Sequence, residues 1–454
     1  MASQSPQPRI TPRIIIHGGA GNITQTTVPR DRYDAYEASL RRILASSAKE
    51  LAKPGATALD VATHAVTLLE NDPLYNSGHG AVFTLDGSNE LECSIMVSNP
   101  QLYKKRGVGL MLLKHVKNPI KLAREILIRG NEEDGGGLKD HCQYSGEYVE
   151  SLAKEWGIEM VDPSYFWTKK KWEEHKRGLK EDEDKKKRAR ELQAAGRSNE
   201  AIQVATGLSD WEKNNYIPLG TCGAVVLDSF GFICTATSTG GLTNKIPGRV
   251  GDTPTMGAGY WAEEFFSPLG IVHPPPPQML YQPSTISSPL DKMSRGNITG
   301  LLSECFPTGT TVPNSPPAAD EKTPPRATEC VIRHAVGTSS SGNGDSFVRL
   351  AAATTTASYA HFTPATFSKA MTWMTGPNGE LQKSAGDRWG KVHEGTGGMI
   401  GIETVGTKGE VVCDYNCGGM FRAWIEEDGK QKCLIFRKEG WESGPKGWEE
   451  GMGL

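Results

Sequence analysis

The sequence predicts an α/β fold, and three observations predict it. Strand-like apolar runs and helical spacings occur in both halves of the 454 residues, and glycine-bearing turns join the strands. Two stretches of unlike composition, one densely charged and one rich in proline, interrupt an otherwise regular chain.

The first half opens with a strand over Arg13 to His17, followed by the turn Gly18, Gly19, Ala20, Gly21. Tyr33, Tyr36, Leu40, Ile43, Ser47 and Leu51 then recur every three or four residues, which puts one face of a helix in the core. A second helix runs from Ala58 to Glu70, with Thr57 as its cap and Asp60 three positions on. Ala81 to Leu85 and Asn89 to Val97 flank Asp86 and Gly87, a dipeptide that favours a hairpin turn. Asn118 with Pro119 starts a third helix. From Lys169 to Asn215 lysines and acids interleave with few apolar positions, which reads as a charged linker (171–215) or an exposed helix. Ala224 to Asp228 and Phe232 to Thr237, hinged at Gly231, read as a buried hairpin. The segment 267–330 carries Pro274 to Pro277 and Pro324 with Pro325, too much proline for helix or sheet, and reads as an insertion. Order resumes at Ser341 to Asp345, with a helix through Tyr359 and strands at Met399 to Glu403 and Glu410 to Asp414.

Composition narrows the function. A formal net charge of -3 gives no phosphate-binding surface, and no apolar run approaches the roughly 20 residues that a membrane helix needs. Nucleic-acid and membrane partners are therefore not expected. The leader Met1 to Pro12 lacks an apolar signal region, so the cytoplasm is the expected compartment and the sequons at Asn22 and Asn297 are expected to be idle. Nine cysteines without paired short spacings fit reduced thiols, and nothing completes a metal set around Cys413 and Cys417.

The chemistry centres on Thr221, between Gly220 and the apolar run Cys222 to Asp228. A hydroxyl on a β-branched carbon is a weak nucleophile without an adjacent base. Cutting the Gly220–Thr221 bond would supply one, because the freed α-amine, with a pKa of roughly 7.7 to 8.0, could take the hydroxyl proton. From the dipeptide alone an ordinary turn into a strand reads the same. Cys222 is a rival nucleophile, but its apolar setting favours packing. Eighteen residues on, the hairpin return brings Thr239 back toward Thr221. Arg249 and Asp252 then follow, a guanidinium that can grip a carboxylate and a carboxylate that can hold an ammonium, matching the zwitterionic end of an amino acid. A surface ion pair would look alike.

His17 to Gly21 (HGGAG), Asn76 to Gly80 (NSGHG), Gly220 to Asp228 (GTCGAVVLD) and Thr237 to Asp252 (TSTGGLTNKIPGRVGD) together resemble the type 2, plant-type asparaginases. These are N-terminal nucleophile (Ntn) hydrolases that also cleave isoaspartyl dipeptides. The resemblance covers roughly residues 13 to 170, 216 to 262 and 336 to 424 and leaves both irregular segments outside. It implies one domain over 1–454 folded as a four-layer αββα sandwich, self-cleaved into subunits 1–220 and 221–454 and paired as (αβ)2. It implies Thr221 as nucleophile, Thr239 as the hydroxyl that orients its amine, and Asn76 as a hydrogen-bonding neighbour. Arg249 and Asp252 become the substrate anchors, with L-asparagine or a β-aspartyl dipeptide as the small-molecule substrate. It also implies a structural sodium ion on backbone carbonyls of Leu69, Glu70, Asp72, Tyr75, Ser77 and His79, and no organic cofactor.

Two departures stand out. Where the family has threonine then glycine for the oxyanion, this chain has Ser341 then Gly342, which keep a hydroxyl and a backbone donor. Ser341 to Asp345 resembles the glycosylasparaginases, which cleave sugar-linked asparagine and form the alternative reading; HGGAG and NSGHG speak against it. Glu92, Val97 and Ser98 stand where the family has aspartate and a Met-Asp-Gly turn. A third reading has the insertions block maturation and leave an uncleaved scaffold that binds partners through Pro274 to Pro277.

Overall fold

The computed structural model describes residues 10–99, 105–130, 132–133, 135–209, 220–268 and 331–436. The chain divides into two units, Met1–Phe266 with Arg333–Leu454, and Ser267–Ile332, and nearly all described residues belong to the first. The proline-rich segment expected over 267–330, apart from its first two residues, and the last residues of the charged stretch lie outside the described residues.

The run Arg13–Gly21 forms β1 and is buried along its whole length. Its side chains alternate between two cores: Ile14 and Ile16 enter one apolar cluster, Ile15 another. A strand covered on both faces needs apolar residues at successive positions, which is why the run shows no period of two. The helices α1 (Arg30–Leu51) and α2 (Ala58–Glu70) turn Tyr33, Tyr36, Leu40, Ile43, Leu59, Val66 and Leu69 into the first cluster. Each such side chain contributes about 1.5–3 kcal/mol on leaving water. Thr57 Oγ1 accepts the Asp60 N–H at 3.1 Å, a cap worth about 1 kcal/mol. The third helix, α3 (Pro119–Arg129), starts on its proline.

Further along come β2 (Leu91–Val97), β3 (Gly107–Leu113), β4 (Gln143–Ser145), α4 (Glu147–Glu155), α5 (Lys169–Ala194) and α6 (Ser198–Thr206). The strands β5 (Cys222–Leu227) and β6 (Ile233–Thr239) form a buried antiparallel hairpin in the register Cys222↔Ser238 to Leu227↔Ile233. They are followed by β7 (Tyr260–Pro268), β8 (Val331–Gly342), α7 (Gly344–Leu350), α8 (Ala352–Phe362), α9 (Phe367–Thr375) and α10 (Glu380–Lys383). The chain then forms β9 (Gly397–Val405), β10 (Lys408–Tyr415), β11 (Gly419–Ile425) and β12 (Gln431–Leu434).

Two sheets result, one of eight strands in the order β12-β11-β1-β5-β6-β2-β3-β4 and one of four in the order β10-β9-β8-β7. Ile15, Val225, Leu227 and Ile233 of the larger pack against Ala335, Ile400, Ile402 and Tyr415 of the smaller. On the far face of the smaller sheet, Val336, Met399 and Val412 meet α8 and α9. Among the described residues no helix is long and apolar enough to cross a membrane.

Two expectations need correction, and of the two readings of the charged stretch the helix holds. Residues 81–85 and 89–97 form no hairpin: the turn at Gly87 exists, with φ +80°, but both edges of β2 are taken by β3 and β6. The arm before the turn instead bridges Thr84 to Lys245. The charged stretch is helix through α5 and α6, because alternating Lys and Glu are good helix formers even where nothing buries them. The helix expected to run through Tyr359 breaks at Ala351, whose left-handed φ of 44° separates α7 from α8.

Candidate active site

The β5–β6 register, continued one step past Cys222↔Ser238, sets Thr239 across from Thr221. On the neighbouring strand Glu92 pairs with Thr239, so three strand positions place Thr221, Thr239 and Glu92 side by side. All three line a cavity of about 220 Å³ together with Gly220, Arg249, Asp252, Thr253 and Gly342. The predicted nucleophile, its supporting hydroxyl, both substrate anchors and one oxyanion donor thus share one wall-to-wall space.

Within it Thr221 is 6% exposed, and its Oγ1 lies 3.0 Å from Thr253 Oγ1. Thr239 Oγ1 accepts the Gly241 N–H at 3.0 Å. Asp252 is buried, and its Oδ2 has no hydrogen-bond partner. Burial pushes its carboxyl up to about 7, with the Arg249 guanidinium pulling the other way. A buried carboxylate oxygen without a donor is costly unless a ligand supplies one, and an ammonium would. Arg249 Nη2 donates to Asp345 Oδ2 at 2.9 Å, and Asp345 is itself exposed.

The oxyanion pair splits. Gly342 lines the cavity with φ +147°, a conformation reserved for glycine, and a Cβ there would overlap Thr396 O and Gly397 Cα. Ser341 is fully buried, and its Oγ accepts the Ala20 N–H at 2.9 Å. The same Oγ lies against Gly220, where a side chain would overlap it. Asn76 does not line the cavity: its Nδ2 donates to Gly241 O at 2.7 Å and its Oδ1 accepts the Val82 N–H at 3.0 Å, which braces the turn after Thr239. Behind Thr221, His17 Nε2 and Thr237 Oγ1 both reach Ser339 Oγ, at 2.8 and 2.9 Å. Burial holds the His17 imidazole down at about 3, so it is neutral at any working pH. Cys222 is buried and its thiol is pushed up by that burial, which removes it as a nucleophile.

The residues around Leu69 to His79 form a tight loop away from the cavity. Side chains at Gly78 and Gly80 would overlap the carbonyl oxygens of Glu70 and Tyr75 respectively, so glycine lets the backbone close up here. Glu70 is buried with Oε1 accepting from Ser238 Oγ and the Ile120 N–H, and burial raises its carboxyl to about 7.

A family model for asparaginases, the type 2 model, matches residues 10–268. This chain belongs to the type 2 asparaginase family. As a type 2 asparaginase it is 37% identical over 251 residues to an isoaspartyl peptidase of Salmonella typhimurium, covering 55% of this chain and 69% of that one. It is 31% identical over 251 residues to an isoaspartyl peptidase/L-asparaginase of Mus musculus, covering 55% and 63%. The "Probable isoaspartyl peptidase/L-asparaginase 2" of Arabidopsis thaliana is 26% identical over 428 residues, 93% of this chain and 98% of that one. The family match ends before β8, so the segment with Ser341 and Gly342 lies beyond it.

Two residues at or beside the candidate site escaped the sequence reading. Thr253 touches the Thr221 hydroxyl, and the only signal was its place directly after Asp252. Lys245 forms a buried pair with Glu92 at 3.4 Å. Burial raises the Glu92 carboxyl and lowers the Lys245 ammonium, and their attraction offsets part of each shift. The pair ties β2 to the loop that carries Arg249 and Asp252, because Glu92 also accepts the Gly251 N–H at 3.3 Å. Its aspartate-to-glutamate departure is thus absorbed by a lysine partner. Ser98, the other departure, accepts the Ile233 N–H at 3.0 Å and serves the sheet.

Proposed function

We propose that the chain is an amidohydrolase that converts L-asparagine to L-aspartate and ammonia and cleaves β-aspartyl dipeptides, using Thr221 as an N-terminal nucleophile after self-cleavage. The observation that carries this reading is that Thr221 and Asp252, whose buried Oδ2 has no hydrogen-bond partner, line one cavity. Maturation begins when Thr221 Oγ1 attacks the Gly220 carbonyl carbon. The peptide C–N bond breaks as the acyl group moves to oxygen, and water hydrolyses the ester to free the Gly220 carboxylate and the Thr221 amine. Thr253 Oγ1 holds the attacking hydroxyl in place. The Ser341 hydroxyl, covered by Gly220 in the intact chain, comes free to donate beside Gly342 N–H once Gly220 leaves.

In turnover the Thr221 amine takes the hydroxyl proton, and Oγ1 attacks the substrate's side-chain carbonyl. Arg249 and Asp252 hold its α-carboxylate and α-ammonium, ammonia or an amine departs with the proton, and water then releases aspartate. The (αβ)2 assembly, the αββα sandwich of the Ntn type, the single domain cut into 1–220 and 221–454, and a cytoplasmic setting with reduced thiols belong to the same reading. A structural sodium ion on backbone carbonyls of the Leu69 to His79 loop belongs to the same reading, since main-chain oxygen suits a hard cation. Its role there is to keep the loop in shape.

The test is a denaturing gel with an ammonia assay. Two fragments in place of the 49.2 kDa chain, with release of ammonia from asparagine, support the reading; a chain that stays whole and inactive after long incubation sinks it. Comparing asparagine, β-Asp-Leu and glycosylated asparagine then ranks the substrates and decides between this reading and the glycosylasparaginase alternative.

Two variants probe the cleavage step. In Gly220→Ala the new methyl overlaps Ser341 Oγ, so cleavage should slow by roughly tenfold or more, the effect of about 1–3 kcal/mol of overpacking strain. Thr253→Val keeps the volume and removes the hydroxyl. A time course of the two fragments should lengthen by about fivefold, the worth of one hydrogen bond of about 1 kcal/mol.

A further inference from the structure

The helix α5 is 26 residues long, is charged along its length, and buries Lys171 and His175 alone. Such a helix, lying before the proposed cleavage point, would serve as a spacer if nothing tied it down. His175 ties it to the loop after β6. His175 Nδ1 lies 2.6 Å from Asn244 Oδ1, and Asn244 Nδ2 donates to the His175 carbonyl at 3.2 Å. An amide oxygen only accepts, so Nδ1 carries the proton. One turn on, Gly178 leaves room for the same amide, since a Cβ there would press on Asn244 Nδ2. The helix is also wedged by Trp172, whose ring meets Phe83 edge-on at 5.1 Å and lies beside Gly87.

Asn244 has a left-handed φ of 59°, and its N–H donates to Phe83 O at 2.8 Å. The next residue, Lys245, sends its ammonium inward to Glu90 O at 2.9 Å and to Glu92. The loop is therefore gripped on one side by β2 and on the other by α5. Its first three residues, Gly241, Leu242 and Thr243, line the cavity that holds Thr221.

We infer that α5 is a buttress for the substrate-facing loop Gly241–Lys245, with His175 and Asn244 as positioning residues that set how tightly the site holds its substrate. The inference rests on the cavity being the site proposed above. It gives the charged stretch a task in this chain: after cleavage at Gly220 the fragment that carries α5 is joined to the fragment that carries the loop by non-covalent contacts, and this clasp is one of them. Neither residue touches the reacting atoms, so loss of the clasp loosens binding and leaves the nucleophile alone.

Three variants and two readouts test it in the full chain. His175→Ala removes the donor. Asn244→Gly removes the amide and keeps the left-handed backbone, so it decides the matter if His175→Ala does not fold. His175→Asn puts an N–H back where Nδ1 stood. The two deletions should each raise KM for asparagine about fivefold, with kcat within about twofold of wild type, the effect of losing one buried hydrogen bond. His175→Asn should restore KM. Hydrogen exchange at amides 241–245 should quicken in both deletions while α1 to α3 stay as protected as before. Unchanged exchange at 241–245 in either folded deletion overturns the inference, as does a fall in kcat with KM unmoved. If the wild type cleaves neither asparagine nor a β-aspartyl dipeptide, the proposed function fails, and the exchange experiment still decides whether α5 holds the loop.

Discussion

Thr221→Ala is expected to run as a single 49.2 kDa band and to release no ammonia from asparagine. Both losses follow from one atom, because Oγ1 is the attacking group in the proposed cleavage and in the proposed turnover. Removing the nucleophile of a hydrolase costs about 10⁶ in kcat, so the assay should reach its background. No neighbour stands in: the adjacent Cys222 thiol is buried and kept protonated by that burial, and its side chain points into the core rather than the cavity. The Thr253 hydroxyl touches Oγ1 but carries no base. Thr221→Ser makes the control, since it keeps the hydroxyl and should show both fragments. A Thr221→Ala protein that still yields two fragments would place the cut elsewhere and remove the α-amine from the mechanism.

Much of this site was legible in the sequence because its residues sit at strand ends, where register follows from counting. Thr221 and Thr239 flank a hairpin whose turn at Asp228 to Phe232 was visible in Gly231, so their approach could be read from spacing. The alternation of β8 was not legible in the same way. Ala335, Ser339 and Ser341 face the larger sheet, yet Thr338 to Ser341 are polar and buried throughout, so no pattern of hydrophobicity marks the face. Only the partners, His17 and Thr237 on Ser339 and Ala20 on Ser341, reveal it. The hairpin expected at Asp86 and Gly87 failed for a related reason: local turn chemistry was right, but pairing gave one edge of β2 to the next strand, β3, and the other to β6, far along the chain. Asn76 illustrates a third limit. Its position near the site could be inferred, but whether an amide contacts substrate or braces a turn depends on a rotamer, which no spacing encodes.

Replacing Asp252 by Asn should lower kcat/KM for asparagine by roughly 10²–10⁴-fold, because an ammonium held in a buried pair loses about 3–5 kcal/mol when its partner becomes neutral. Cleavage at Gly220 should persist, since Asp252 takes no part in that step, and the gel separates the two effects. The pH profile sharpens the assignment. In the free protein burial lifts the Asp252 carboxyl to about 7, so below that pH the site is increasingly protonated and has no anion to offer an ammonium. The group must be ionised to bind, and activity is therefore lost as pH falls. Once substrate is bound its positive charge favours the carboxylate, so the effect belongs to kcat/KM and KM, while kcat is spared. The Thr221 amine, with an ordinary value of roughly 7.7 to 8.0, must also be neutral and bears on both parameters. On the acid side kcat/KM should then fall more steeply than kcat, and Asp252→Asn should remove that difference. Parallel acid limbs in the unmodified protein would mean that another group holds the ammonium, with Glu92, on the same cavity wall, the next to replace.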